Sequence, residues 1–232
     1  MYASGSTWLF NATREVVAAL SPIQPVHSAF IETWPHLAKL PAGFVIVKSH
    51  ALSPGLARLL EIQSARILVT IRDPRDAVTS LMQYMGQSFE KALKRVEHSA
   101  RFCSRYAAHE RAILLPYESG FTESADAFDK LAECFGQQLT ASSRGRLFAA
   151  TRREAIEHHI SQLDNLPTSW RNPHNGDLLD TSTQWHAHHA GRTGATGRWR
   201  QYLSAEHILR IETALHDFMV QHDYILESNL KP

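Results

Sequence analysis

Apolar residues recur at helical spacing along much of the chain. One face of the first predicted helix carries Trp8, Ala12, Val16 and Leu20. This helix ends at Ser21-Pro22, because proline disfavours helix in the residue before it. The same spacing predicts helices over residues 54–63, 74–85, 89–107, 122–136 and 142–163, and a last helix that begins at Ser204.

Three short and mainly apolar segments lie between these helices: Gly43–Val47, Arg66–Ile71 and Ala112–Pro116. Such segments are typical of buried strands in parallel sheets. Strands that alternate with helices predict an α/β fold, in which helices cover both faces of a mostly parallel central sheet. We expect one domain over residues 1–232. Within it, residues 164–200 lose periodicity and are predicted to form a lid or flexible loop.

Polar side chains follow each predicted strand. Lys48 and His50 follow the first strand, Arg72 follows the second, and Tyr117 follows the third. Ligands of parallel α/β sheets bind beyond the carboxyl ends of the strands. We therefore treat these four side chains as one candidate constellation.

Composition and charge narrow the function classes. The chain has 232 residues, 44% of them hydrophobic and 20% charged, with a net charge of +1. This balance offers no broad basic field for nucleic acid or an anionic membrane. We find no segment long enough to span a membrane and no leader sequence, and Cys103 and Cys134 match no metal motif. We expect a cytoplasmic protein with reduced thiols.

The opening loop is the first chemical signal. Ser4, Gly5, Ser6 and Thr7 lead directly into the first helix. A helix N-terminus offers free backbone N–H groups and the positive end of the helix dipole, which suits a phosphate. A serine-rich helix cap is the plain alternative. The loop lacks the Gly-Lys-[Ser/Thr] of a Walker A motif.

Two further elements fit an anion. Arg72 at a strand end can hold a phosphate through two hydrogen bonds, and Ser80 lies two turns further along the next helix. A glycine-rich basic segment, Gly191–Trp199, could close over a second anionic group. Each element alone could be an ordinary surface feature, and only their joint order favours a site.

In this order, the motifs resemble those of sulfotransferases that use 3′-phosphoadenosine 5′-phosphosulfate (PAPS). The family's Lys-Ser-Gly-Thr-Thr-Trp loop is similar to Ala3–Trp8, and its Lys-Thr-His to Lys48-Ser49-His50. The family also has an arginine with a serine eight residues later, a Tyr-Glu pair and an Arg-Lys-Gly-x-x-Gly-x-Trp loop. These are similar to Arg72 and Ser80, to Tyr117-Glu118 and to Arg192–Trp199.

The resemblance implies a role for each matched residue. Ser4, Gly5, Ser6 and Thr7 would hold the 5′-phosphosulfate, while Trp8 would stack near the adenine or belong to the core. The 3′-phosphate would be bound by Arg72, Ser80 and the Arg192-Thr193-Gly194 segment, and the adenosine by Tyr117. His50 would be the general base, and Lys48 would neutralise charge on the sulfuryl group. The products would be a sulfated small-molecule acceptor and PAP.

This sequence departs from the family in three places. Ala3 stands where the family has a lysine that supports the leaving phosphate, and Thr193 replaces another lysine. Either Lys48 or another cation substitutes for the missing lysine, or turnover is poor. The family also has a strand before the loop, which residues 1–3 are too few to form. The natural start then lies upstream, or the sheet is built differently.

Other functions stay open at this point. A PAP(S)-binding pseudoenzyme would keep the pocket and lose turnover, and a P-loop kinase of small molecules is a more remote alternative. His174, His186, His188 and His189 could suggest a metal, but their spacing matches no familiar site, and we expect none. Neither the acceptor nor the oligomeric state can be derived from the sequence.

Overall fold

The computed structural model describes residues 1–62, 65–165, 178–187 and 194–227. The strands are β1 (Val26–Phe30), β2 (Phe44–Lys48), β3 (Ile67–Ile71) and β4 (Ala112–Pro116). The helices are α1 (Ser6–Leu20), α2 (Trp34–Leu37), α3 (Pro54–Ile62), α4 (Pro74–Met85), α5 (Phe89–Ala107), α6 (Asp126–Glu133), α7 (Ala141–Thr151), α8 (Arg153–Ser161), α9 (Trp199–Tyr202), α10 (Ala205–Ala214) and α11 (His216–Gln221). None of the helices in these ranges has the length and apolar character needed to cross a membrane.

The strands pair in parallel, which confirms the predicted α/β class. β1 pairs with β2 from Val26–Phe44 to Phe30–Lys48. β3 pairs with β4 from Ile67–Ala112 to Ile71–Pro116. Over the described ranges the strands form two separate two-stranded sheets. The sequence analysis missed β1, whose Val-His-Ser-Ala-Phe sequence has no clear strand pattern.

Tertiary contacts divide the described chain into two compact units. Unit 1 contains residues 1–5, 67–119 and 194–227, and unit 2 contains residues 6–62, 65–66, 120–165 and 178–187. Their hydrophobic cores are described separately below. The assignment of residues 1–232 to one domain, with a lid over 164–200, stays a prediction.

The core of unit 1 is built around α5. One apolar face of this helix, whose range 89–107 was predicted, is buried at Phe89, Leu93, Val96, Ala100 and Cys103. It packs against β3, α4 and the C-terminal helices. The last predicted helix is buried along one face, at Ile211, Leu215 and Phe218, although it divides into α10 and α11 at Leu215.

The core of unit 2 is built around α1, which packs against β2, α6 and α7. Ala12 and Val16 on its predicted inner face have no exposed surface. The Trp8 ring makes edge contacts with Phe121 and Phe128, at centroid distances of 5.6 and 5.5 Å. Packing of this apolar face stabilises the helix that begins directly after the opening loop.

Two predicted helix boundaries in unit 2 are wrong. The helix expected over residues 142–163 breaks into α7 and α8 at Arg152, because this residue has an extended backbone with ψ of 156°. The Thr151 carbonyl at the end of α7 accepts from Trp8 Nε1 at 3.0 Å. Thr122 does not cap a helix, since it lies inside a 3₁₀ turn over Phe121–Glu123. The helix α6 starts later, and Ser124 Oγ accepts from the Asp126 amide at 3.2 Å.

Candidate active site

The start of α4 organises the candidate site in unit 1. Asp73 is the N-cap of this helix, where its Oδ1 accepts from the Arg75 amide at 2.9 Å, and Pro74 occupies the first helical position. Both features agree with the predicted helix start. The Asp73 amide donates to Glu118 Oε1 at 2.8 Å, which ties the Tyr-Glu pair after β4 to the end of β3.

Arg72 is buried at the centre of this part of the site, with 8% of its surface exposed. Its Nη1 donates to the Ala3 carbonyl and its Nη2 to the Ala195 carbonyl, both at 2.9 Å. The guanidinium carbon lies 4.4 Å from the centroid of the Tyr117 ring. Within the described ranges Nε has no hydrogen-bond partner. A buried N–H of this kind fits an anionic ligand, because an unpaired polar group in the interior is costly.

The other residues predicted to hold the 3′-phosphate are only partly described. Ser80 is on α4 and is 9% exposed. Gly194 lies in the same unit and has φ of 65°, a left-handed conformation that glycine adopts without strain. Arg192 and Thr193 lie outside the described residues. The structure therefore brings Arg72, Tyr117 and the end of the late glycine-rich loop together in unit 1.

Asp76 holds this late loop, a role that the sequence analysis missed. Its Oδ2 accepts from the Gly197 amide at 2.6 Å, and its Oδ1 accepts from the Trp199 amide at 3.1 Å. The Arg75 guanidinium carbon lies 4.1 Å from the centroid of the Trp199 ring. The burial of Asp76, with 2% of the residue exposed, is visible only in the fold.

The first half of the opening loop belongs to unit 1. Ser4 has no exposed surface, and its hydroxyl bonds to Thr70 Oγ1 at 2.6 Å and to the Met1 carbonyl at 2.7 Å. Gly5 has φ of 80° and Ala3 has φ of 55°. The Ser4 hydroxyl is thus engaged within unit 1, so a contact between Ser4 and a phosphosulfate would use the backbone of this residue. That contact stays a prediction.

The second half of the loop begins α1 in unit 2. Lys48 Nζ, at the end of β2, donates to Thr7 Oγ1 at 2.5 Å. Burial lowers the pKa of Lys48 to about 8. A largely buried ammonium group therefore lies beside the first turn of a helix, where the helix dipole also favours an anion. The predicted role of Lys48 toward the sulfuryl group stays a prediction.

The structure gives Trp8 a packing role. Only 4% of this residue is exposed, and its ring lies among the aromatic side chains of the unit 2 core. The sequence left open whether this ring stacks near adenine or belongs to the core. The burial favours the core alternative, and a contact with adenine stays a prediction.

His50 follows β2 on the same strand end as Lys48. Its ring centroid lies 5.7 Å from that of Phe30, the last residue of β1, which is 39% exposed. The histidine is half-buried, which is compatible with a group that exchanges a proton with a substrate. The aromatic neighbour was not predicted, because β1 itself was missed.

The histidines that were considered as metal ligands are mostly undescribed. His186 pairs with Leu179 in an isolated antiparallel bridge. His174, His188 and His189 lie outside the described residues.

The sequence and the fold were compared with known proteins, and both comparisons find sulfotransferases. The profile of the sulfotransferase domain matches residues 4–222. No curated protein matches the sequence significantly. Mouse sulfotransferase SULT7A1 complexed with PAP is similar over 95% of this chain and 82% of its own chain, with a TM-score of 0.65 and 13% identity.

Two structures of retinol dehydratase are also similar. One, in complex with androsterone and inactive cofactor PAP, has a TM-score of 0.56 and 18% identity, covering 80% of this chain and 56% of its own. The other, in a complex with retinol and PAP, has a TM-score of 0.51 and 16% identity, covering 79% and 56%. At such identities the likeness establishes the shared fold.

Proposed function

From the premise that the chain belongs to the sulfotransferase family and uses PAPS as its donor, we propose that it transfers the sulfuryl group to a hydroxyl or amine of a small-molecule acceptor. The observation that carries this proposal is the hydrogen bond between Lys48 Nζ and Thr7 Oγ1. It supports the proposal, because it leaves a cation at the first turn of the helix that follows the opening loop, and the phosphate that leaves from the donor requires positive charge.

The proposed reaction is an in-line displacement at sulfur. The acceptor oxygen or nitrogen forms a bond to sulfur, and the bond between sulfur and the bridging oxygen of PAPS breaks, so that PAP leaves with the electron pair. His50 accepts the proton of the acceptor group. Lys48 stabilises the negative charge that grows on the bridging oxygen.

We assign the 3′-phosphate to Arg72, with Ser80 and Gly194 as further ligands. The buried Nε of Arg72 without a hydrogen-bond partner in the described ranges supports this assignment, as does the packing of its guanidinium on Tyr117. Arg192 and Thr193 are included among the proposed 3′-phosphate ligands only because they match the family motif. Tyr117 is assigned to the adenosine.

Lys48 is proposed to compensate for Ala3. The family's lysine at this place is a methyl group here, and the Ala3 carbonyl is bound by Arg72. The Lys48 ammonium donates a hydrogen bond to Thr7, which belongs to the second half of the opening loop. One lysine then serves both the leaving phosphate and the sulfuryl group in transfer.

Isothermal titration calorimetry with PAP, followed by transfer assays with PAPS and a panel of phenols, alcohols, sugars and amines, tests the proposed function. We expect PAP binding and sulfation of at least one acceptor class. Binding of PAP without transfer to any member of the panel would favour the pseudoenzyme alternative, in which the pocket is retained and the missing lysine has abolished turnover. A folded protein that does not bind PAP would contradict the residue assignments.

We also propose a cytoplasmic location. Cys103 and Cys134 are free and buried, which fits a reducing compartment. Cell fractionation with a tagged full-length chain tests this proposal, and recovery in a secreted or membrane fraction would contradict it.

A further inference from the structure

Asp76 is a buried carboxylate whose only described partners lie in the late loop. It is 2% exposed, although an aspartate that merely complements a helix dipole can stay in water. Removing a carboxylate from water is costly unless strong hydrogen bonds replace its hydration. Both oxygens of Asp76 receive such bonds, from the amides of Gly197 and Trp199. The carboxylate therefore fixes the course of the loop.

Within the described part of the chain, the two bonds reach a tight turn and a helix start that no other side chain is seen to cap. Gly197 has φ of 74°, and α9 starts at Trp199 without a side-chain cap from Arg198. Asp76 supplies this missing cap from a different element, α4. The free amides of a tight glycine turn and of a helix start are thereby satisfied by one side chain.

The same loop orients Arg72. Two residues before Gly197, the Ala195 carbonyl accepts from Arg72 Nη2 at 2.9 Å. The position of this carbonyl depends on the turn that Asp76 holds. The direction of the Arg72 guanidinium, and of its Nε, therefore depends on Asp76 as well.

We infer that Asp76 is a positioning residue of the donor site, which orders residues 194–199 and aims Arg72 before the nucleotide binds. This inference rests on the proposed function, in which Arg72 binds the 3′-phosphate. Asp76 itself does not touch the nucleotide. Its contribution is to affinity for the 3′-phosphate, and not to the chemical step.

The variant Asp76→Asn tests this inference by calorimetry with PAP and with 5′-AMP, which lacks the 3′-phosphate. The amide keeps one acceptor oxygen and replaces the other by an NH2 group that faces a backbone N–H. We expect PAP affinity to fall by about 10- to 100-fold, as for a lost charge-assisted hydrogen bond. Affinity for 5′-AMP should change by less than about threefold. In transfer assays, KM for PAPS should rise while kcat at saturation stays within about threefold.

Asp217→Asn is the matched control, because Asp217 also lies in the first turn of a helix of unit 1 but has a fully exposed side chain. It should leave both affinities unchanged. Unchanged PAP affinity in folded Asp76→Asn would overturn the inference. An equal loss of PAP and 5′-AMP affinity would do the same, since it would indicate general damage.

Amide hydrogen exchange on the nucleotide-free wild-type protein tests the inference without any variant, and it decides the case if Asp76→Asn does not fold. We expect slow exchange at Gly197 and Trp199. If these two amides exchange as fast as those of an unstructured loop, the inference that Asp76 orders the loop before the nucleotide binds is overturned. If wild-type protein binds no PAP, the proposed function fails, whereas the exchange rates still report on the loop.

Discussion

At the scale of single residues, Arg72 has the clearest expected effect. Replacement by alanine removes a buried guanidinium from Ala3, Ala195 and the Tyr117 ring. We expect Arg72→Ala to weaken PAP binding by roughly 2–4 kcal/mol, because a buried charge-assisted contact to phosphate is lost. Calorimetry measures this change. Arg101→Ala, an exposed arginine on α5 of the same unit, is the control, and equal affinities for the two variants would exclude Arg72 from the 3′-phosphate site.

His50 is expected to affect transfer and not nucleotide binding. A general base acts on the acceptor, and its loss typically slows a reaction by ~10²–10⁴-fold. His50→Ala should therefore lose most sulfuryl transfer and keep its PAP affinity, as measured by initial rates and calorimetry. His98→Ala, an exposed histidine on α5, should behave as wild type. Transfer by His50→Ala within about tenfold of wild type would show that another group is the base.

The proposed role of Lys48 predicts how the transfer rate depends on pH. Its pKa, lowered by burial to about 8, means that the ammonium is present at neutral pH and is lost as the pH rises through about 8. Because the proposed role of this cation is to stabilise the transition state, we expect the transfer rate to fall above this pH. Lys48→Arg keeps its charge throughout and should remove the descending limb. A wild-type rate that stays constant well above pH 8 would be inconsistent with a catalytic ammonium at Lys48.

The compensation for Ala3 can be tested on the same residue. Lys48→Met should damage turnover more than PAP binding, and Ala3→Lys should raise turnover. Ala3 already has φ of 55°, so a lysine meets the same backbone conformation that alanine accepts. Transfer rates for the two variants and their combination measure the effect. Full activity in Lys48→Met would refute the compensation.

At the scale of elements, Trp8 contacts the point where one helix ends and the next begins. The predicted helix over residues 142–163 has no proline or glycine near Arg152 that could reveal a break. At the break, the Thr151 carbonyl of α7 accepts from the indole N–H of Trp8 on α1. A contact between residues so far apart in sequence leaves no local pattern.

Trp8→Phe separates packing from nucleotide binding. Phenylalanine keeps an aromatic ring beside Phe121 and Phe128 but cannot donate to Thr151. We expect a loss of about 1–2 kcal/mol in the free energy of unfolding, measured by urea denaturation, because a buried carbonyl loses its donor. PAP affinity should stay unchanged. Wild-type stability together with weakened PAP binding would instead place the ring beside the adenine.

Helix starts with strong chemical signals were predictable, and strands with weak patterns were not. Asp73-Pro74 and Ser204 mark the starts of α4 and α10 as predicted, since their side chains cap the helices locally. β1 escaped prediction because it is half-buried along most of its length and depends on pairing with β2. Strand preference of this kind comes from tertiary context.

At the scale of the whole molecule, a buried cluster of charged groups around Arg75 joins distant parts of the sequence within unit 1. Arg75 is 3% exposed and forms ion pairs with Asp73 and with Glu212 of α10, both at 2.7 Å. Glu212 Oε1 also accepts from the Glu227 amide at 2.9 Å. These bonds connect the start of α4 to the C-terminal part of unit 1.

Glu212→Gln should weaken this connection. Among the described residues, the buried Arg75 then keeps Asp73 as its one ionic partner. We expect a loss on the order of 2–4 kcal/mol in the free energy of unfolding. Urea denaturation measures this loss. Glu206→Gln on the exposed face of the same helix is the control, with an expected change within about 0.5 kcal/mol. Equal stabilities of the two variants would contradict a structural role for the buried pair.

The sequence by itself determined the α/β class, most of the helices and the main candidate residues. Amphipathic spacing, helix caps and the ordered motifs act through neighbours in the chain, so they can be read from it. The tertiary structure decided what these residues contact. It joined Lys48 to Thr7, buried Trp8 and Ser4, and gave Asp76 a loop to hold. Such contacts depend on folding, because they link residues that are remote in sequence and leave no periodic signal in it.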